Sequence, residues 1–158
     1  MLKFIFNFDT NLKFTGLVST LCVASSIFTQ YVFDKTPCLL CLLSRICFIV
    51  VAIACFLAIK QKHLNWIQSL PLSTLFVLFC ICFYHLGIEN SWWMAPETCR
   101  TILPTLDNPE PVTLLNGRPP CDSAGFHIFG ISITLFSFAV SGCLTWLHSI
   151  AFILRKFV

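Results

Sequence analysis

The chain has 158 residues, of which 57% are hydrophobic and only 11% charged, with a mean hydropathy of +0.85. A soluble domain carries about 25% charged residues, so this composition excludes an ordinary soluble domain and places the chain among polytopic membrane proteins. The formal charge of +3 is spread along the sequence without a basic cluster for nucleic acid, and the length suits one compact domain rather than two large ones.

Four apolar stretches can each cross a bilayer core, which takes about 20 residues of helix. Lys3 and Lys13 precede the first, from about Phe14 to Phe33, which is interrupted only by hydroxyls, Gly16 and Gln30. It has no small-residue cleavage site before the next span, so it reads as a retained transmembrane helix rather than a cleaved signal peptide. A short loop, residues 34–40, leads into Thr36-Pro37-Cys38-Leu39-Leu40-Cys41. Thr36 is a good N-cap and Pro37 a good first helical residue, which predicts that Cys38 lies in the first turn of helix two. The second span runs from about Cys41 to Ile59, with Arg45 its only charge.

The third span runs from about Pro71 to Leu86, with Trp66 and Tyr84 placed to sit at the interfaces. A long loop follows, from about Gly87 to Phe126. Its six prolines, Pro96, Pro104, Pro109, Pro111, Pro119 and Pro120, preclude a long regular helix. Asn116-Gly117 marks a tight turn, and Thr101–Leu106 reads as a short amphipathic piece on the membrane surface. The fourth span runs from about His127 to Leu147, with Trp146 as an anchor, and the tail Ser149–Val158 continues it or lies on the membrane. Lipid leaves backbone groups no partner outside a helix or a closed barrel, and the period-2 pattern of a barrel is absent. The predicted fold is therefore an all-α four-transmembrane-helix bundle, one integral membrane domain over residues 1–158, with a long irregular second outer loop.

Basic residues set the expected orientation. Lys3, Lys13, Lys60, Lys62, Arg155 and Lys156 all fall on one side if four spans alternate. The other side holds Lys35, Arg100 and Arg118, outnumbered by Asp34, Glu89, Glu97, Asp107, Glu110 and Asp122. Both termini are expected to be cytoplasmic, with the loops at 34–40 and 87–126 facing outward.

Of ten cysteines, Cys22, Cys47, Cys55, Cys80, Cys82 and Cys143 lie inside apolar runs and read as small buried hydrophobes. Cys38, Cys41, Cys99 and Cys121 flank spans or lie in the polar loop, all on the outer side, where disulfides persist if the compartment is oxidising. In the first turn of a helix, free N–H groups and the positive helix end favour a thiolate, a good leaving group and electron donor. The other reading of Cys38-x-x-Cys41 is half a zinc site. Cys99, Cys121, His85 and His127 could complete it in principle, although no second CxxC and no HxxxH is present. Leu42 after Cys41 excludes a c-type haem signature.

Arg45, four residues past Cys41, shares its helix face. An arginine costs about 2.5–3.5 kcal/mol near the centre of a span. It either snorkels to the outer headgroups or stabilises negative charge on Cys41 or on a bound electron acceptor. Cys99 and Cys121 bracket residues 100–120. A disulfide between them, worth about 3 kcal/mol by chain entropy, would serve either as a staple for the proline-rich loop or as an exchanging disulfide that passes electrons to the CxxC pair.

The ordered set of motifs resembles the DsbB family of bacterial disulfide bond formation proteins over nearly the whole chain. Pro37-Cys38-Leu39-Leu40-Cys41 with Arg45 is similar to the family's first redox motif. Tyr84-His85-Leu86-Gly87-Ile88-Glu89, then Trp93, Pro96 and Cys99, is similar to its span-three exit. Cys121-Asp122 followed by Phe129-Gly130-Ile131-Ser132 is similar to its approach to span four. Ser44, Ala95, Phe126 and Ser137 depart from the residues usual there.

The resemblance implies a protein dithiol:quinone oxidoreductase of the bacterial inner membrane, multi-pass, with its redox loops periplasmic. A reduced thioredoxin-fold oxidase of the DsbA type is the implied partner, and a membrane quinone, ubiquinone or menaquinone, the implied cofactor. By residue match, the partner's thiolate attacks a Cys99–Cys121 disulfide through Cys99. Cys121 then attacks Cys38 of a Cys38–Cys41 disulfide, and Cys41 delivers electrons to the quinone. Arg45 is implied to stabilise the Cys41 thiolate and the reduced quinone, and His85 to line the quinone pocket.

Two rivals are weighed. A vitamin-K-epoxide-reductase-like oxidase also combines a helix bundle, CxxC and quinone, but its reactive CxxC usually lies on the last spans. A cysteine-ligated metal transporter or assembly factor draws slight support from Cys80-Ile81-Cys82 in span three.

Overall fold

A computed structural model describes residues 7–34, 36–61, 64–96, 99, 120–121, 127–128 and 131–155. Lys35, the Thr101–Leu106 segment, the Asn116-Gly117 turn, Phe126 and the end of the tail lie outside the described residues. The elements are α1 (Phe8–Val32), α2 (Leu39–Lys60), α3 (Asn65–Glu89), a minimal hairpin of β1 (His127–Ile128) and β2 (Ile131–Ser132), and α4 (Ile133–Arg155). All four helices are long and apolar enough to cross a membrane. Each packs on the next and α1 closes on α4, giving the four-helix bundle.

The helices outrun the predicted spans because polar contacts in their first turns, not hydropathy, decide where they begin. The Asn7 side chain accepts the Asp9 N–H at 3.1 Å, so α1 starts six residues before the apolar run, with acidic Asp9 at its positive end. α3 likewise begins before Pro71. Its first turns are held by Gln68, buried against the end of α2, whose amide donates to Ala58 O at 2.8 Å and Gln61 O at 3.4 Å. These are carbonyls that the end of α2 leaves without helical partners.

The predicted fourth span needs a correction at its outer end. His127–Ser132 pairs as an antiparallel hairpin, Ile128 opposite Ile131, and the helix begins only at Ile133. Ser132 acts as the cap. Its hydroxyl accepts the Thr134 N–H at 3.1 Å and donates to Glu89 Oε2 at 2.8 Å, which ties the start of α4 to the end of α3.

Leu12, Val51, Leu75, Leu78, Cys55, Cys82 and Leu144 fill the bundle centre. Phe14, Phe28, Phe56, Phe76, Trp66 and Trp146 point outward and stay exposed, the reverse of a soluble helix and the surface that lipid requires. Inside the core, His148 Nδ1 donates to Asn11 Oδ1 at 2.7 Å across α1 and α4. This buried pair fixes the register of the chain's two ends, because either group alone would carry the full cost of desolvation, about 1–3 kcal/mol.

Candidate functional site: a four-cysteine cluster above an intramembrane cavity

The site begins where α2 begins. The structure moves the predicted cap by two residues: Cys38 itself, extended at φ −65° and ψ 171°, is the N-cap, and its sulfur accepts the Cys41 N–H at 3.3 Å. Pro37 holds the residue before it out of the helical region. Cys38 is then pinned against Ile88, Cys99 and Cys121, so the sulfur takes the role predicted for the Thr36 hydroxyl.

The end of α3 supplies the opposite wall. Ser91 N–H donates to Ile88 O and Trp92 N–H to Gly87 O, at 3.0 and 2.8 Å, the two bonds of a Schellman turn. Ser91 sits at φ 59°, where glycine is usual and an L-residue costs about 1–2 kcal/mol. The turn folds the chain back so that the Trp93 ring stacks on Tyr84, its Nε1–H donating to Tyr84 O at 3.0 Å. A Cβ at Gly87 would overlap that ring, which explains the glycine. Gly87→Ala is expected to unseat Trp93 and to destabilise the protein by about 1–3 kcal/mol, read as a lower melting temperature together with a shift in tryptophan emission.

Beyond Trp93, the Cys99 N–H donates to Pro96 O at 2.8 Å and the Cys121 N–H to Cys99 O at 3.0 Å. All four outer cysteines therefore meet. Cys38 Sγ lies 2.8 Å from Cys41 Sγ and 3.7 Å from His85 Nε2. It also shares a hydrogen bond with Cys121, which in turn bonds Cys99. The sulfurs thus run in the order Cys41, Cys38, Cys121, Cys99. Cys38, Cys99 and Cys121 are buried and Cys41 is half-buried.

The expected low-pKa thiolate at Cys38 is not found in this state. The largest influence, the hydrogen bond with Cys121, lowers its pKa, but the bond to Cys41, burial and the charge of Cys41 together push the thiol up to about 12. The Cys38 hydrogen bond, reinforced by burial, holds the Cys121 thiol well above its ordinary range. The helix end is outweighed first by the bond to Cys41 and then by burial.

Below the cluster a cavity of about 340 Å³ opens among the four helices, with Cys41, Arg45, His85, Ser44, Thr134 and Ser137 on its wall. Arg45 is held inward by α1: Nε donates to Ser26 Oγ at 3.1 Å, NH1 to Gln30 Oε1 at 2.8 Å, and NH2 to Ser26 Oγ at 2.9 Å. Sequence reading passed over Ser26 and Gln30 as mere interruptions of span one. Their signal was the four-residue spacing, which puts two polar groups on one face of a lipid-crossing helix where a partner is required. Ser44 bonds its own helix at Leu40 O, 3.0 Å, and reaches Cys82 Sγ at 3.8 Å.

Cys38, Cys41 and His85 have ligand atoms within 4.8 Å of one another, and His85 is one of the four residues weighed above as completing a zinc site on the CxxC pair. The side chain of His127, also weighed as a ligand, is outside the described set. Cys80 is exposed and Cys82 buried, so that pair faces opposite ways and makes no chelate.

A bundle of four membrane-crossing helices with a dithiol pair capping one helix and a second cysteine pair folded over it defines a multi-pass membrane protein built for thiol chemistry. The family model for disulfide bond formation protein DsbB matches residues 11–151, and the chain belongs to that family. Comparison with curated proteins and with solved structures returned no match.

Proposed function

We propose that the protein reoxidises a periplasmic thioredoxin-fold oxidase of the DsbA type, passing electrons through its two cysteine pairs to a membrane quinone. The observation that carries this reading is the order of the sulfurs, Cys41, Cys38, Cys121, Cys99. Cys38 sits between its CxxC partner and Cys121, so the disulfide can change partner without a large movement of either chain.

The exchange balances. A partner thiolate attacks Cys99 of a Cys99–Cys121 disulfide, forming the mixed disulfide and freeing Cys121. The partner's second thiolate then closes its own disulfide. Cys121 attacks Cys38 of a Cys38–Cys41 disulfide and releases Cys41 as a thiolate. Cys99, freed when the partner closes, attacks Cys121 of the new Cys121–Cys38 disulfide, which restores Cys99–Cys121 and leaves Cys38 and Cys41 as a dithiol. Two electrons and two protons then pass from that pair to a quinone as the Cys38–Cys41 disulfide closes. A DsbA-type disulfide stands at about −120 mV, so its renewal needs a still stronger acceptor. The cavity supports this role: it is largely apolar, within the usual size of small-molecule pockets, and carries Cys41, Arg45 and His85 on its wall. The distribution of lysine and arginine supports a bacterial inner-membrane protein with both termini cytoplasmic and the cysteines periplasmic. A vitamin-K-epoxide-reductase-like reading is less favoured, because the CxxC caps α2 and not a late helix.

The test is a quinone-dependent oxidation assay in lipid with a reduced DsbA-type protein as donor, wild type beside serine variants of Cys38, Cys41, Cys99 and Cys121. Turnover by the wild type and its loss in every variant is the expected result. A wild type that leaves the donor reduced would overturn the reading.

A further inference from the structure

We propose that the reduced cluster is a binding site for a divalent zinc ion, held by Cys38, Cys41 and His85 with Cys121 as fourth ligand, so that metal binding and disulfide formation exclude each other. Zinc takes thiolate and imidazole ligands in a tetrahedron, and three cysteines with one histidine is a common closed set. Bond lengths of about 2.3 Å to sulfur and 2.0–2.1 Å to nitrogen place two such sulfurs about 3.8 Å apart, and a sulfur and a nitrogen about 3.6 Å apart. Cys38 Sγ and His85 Nε2 already stand at 3.7 Å. Cys121 lies within hydrogen-bonding distance of Cys38. The 2.8 Å gap between Cys38 and Cys41 must open, and Cys121, which touches Cys38 but stands outside the group of Cys38, Cys41 and His85, must close on the other two. Cys41 is half-buried in the first turn of α2, on the wall of the cavity.

The ligands come from α2, α3 and the loop, so the ion would tie α3 to the two pieces that a Cys38–Cys121 disulfide joins. Each thiol gives up its proton on binding, Zn²⁺ + 3 RSH → Zn(SR)₃⁻ + 3 H⁺, and neutral His85 donates a lone pair. A disulfide between any two of these sulfurs removes the donors. Binding stands on this geometry alone. Its consequence, that zinc would hold the relay reduced and stop turnover, rests on the function proposed above.

The experiment adds zinc chloride alone to purified, anaerobically reduced full-length protein, and measures bound zinc and released protons. About one zinc per chain with about three protons released, and none for the disulfide-oxidised protein, is expected. His85→Ala and Cys121→Ser should each weaken binding by more than about 100-fold. His85→Cys should restore it, which separates a ligand from a residue needed for folding. Cys80→Ser with Cys143→Ser, the two exposed thiols, should change nothing. Cobalt substitution counts thiolate ligands independently through its charge-transfer absorption. No zinc on the reduced wild type, full affinity in His85→Ala, or loss of zinc with the exposed thiols would each overturn the proposal. The quinone assay is separate: turnover without zinc binding would leave the proposed function standing and remove this site.

Discussion

With Cys41 replaced by serine, quinone reduction is expected to fall to the uncatalysed background, a loss of at least about 10³-fold. The reason lies in the order and burial of the sulfurs. Among the four cysteines of the cluster, Cys41 is on the cavity wall, while Cys38, Cys99 and Cys121 are buried above it. A serine hydroxyl can neither be displaced from Cys38 nor donate an electron pair at neutral pH. The loss should appear both in steady-state turnover and in a single turnover of pre-reduced protein followed by quinone absorbance. Cys99→Ser is the contrasting case. The CxxC should still be oxidised by quinone in a single turnover, while turnover with a DsbA-type donor stops. Full turnover in Cys99→Ser would reduce the loop pair to a staple.

Replacing Arg45 with methionine is expected to raise KM for quinone about 10- to 150-fold, the equivalent of losing one charged hydrogen bond worth about 1.5–3 kcal/mol. Stability should change little. The variant removes a costly cation from a span, and this offsets the loss of the bonds to Ser26 and Gln30. Gln30→Leu should have a smaller effect on KM, about 2- to 12-fold, because Ser26 still holds the guanidinium. Equal losses of stability and quinone use in Arg45→Met would support a snorkelling arginine that does no more than anchor α2. The measurements are KM and kcat across a quinone series, beside thermal unfolding in detergent.

The spans were legible because hydropathy adds up along a segment and needs no knowledge of neighbours. The second span illustrates this, predicted to end at Ile59 and observed to end at Lys60. Helix starts were less legible because they depend on single side-chain contacts. Cys38 displaced Thr36 as a cap, and Ser132 set the start of α4 through a bond to Glu89, forty-three residues earlier. The site was half legible. The Cys38-x-x-Cys41 spacing and the isolated Arg45 announce themselves locally, but His85 had only a motif to mark it, and Ser26 and Gln30 had no local signal beyond their spacing. A helix end favours a thiolate at Cys38, but the hydrogen bond to Cys41 and then burial in the cluster push the thiol the other way.

By itself the sequence determined that the chain crosses a membrane four times and that a dithiol opens the second crossing. Both follow from short-range physics: the length of an apolar run against the bilayer, and the chemistry of residues within one helical turn. Only the tertiary structure decided that Cys38 faces Cys121 and His85 together, and that Arg45 is gripped by α1 on the wall of a cavity. Those contacts join residues far apart in the chain, and helix packing, which no local pattern encodes, brings them within bonding distance.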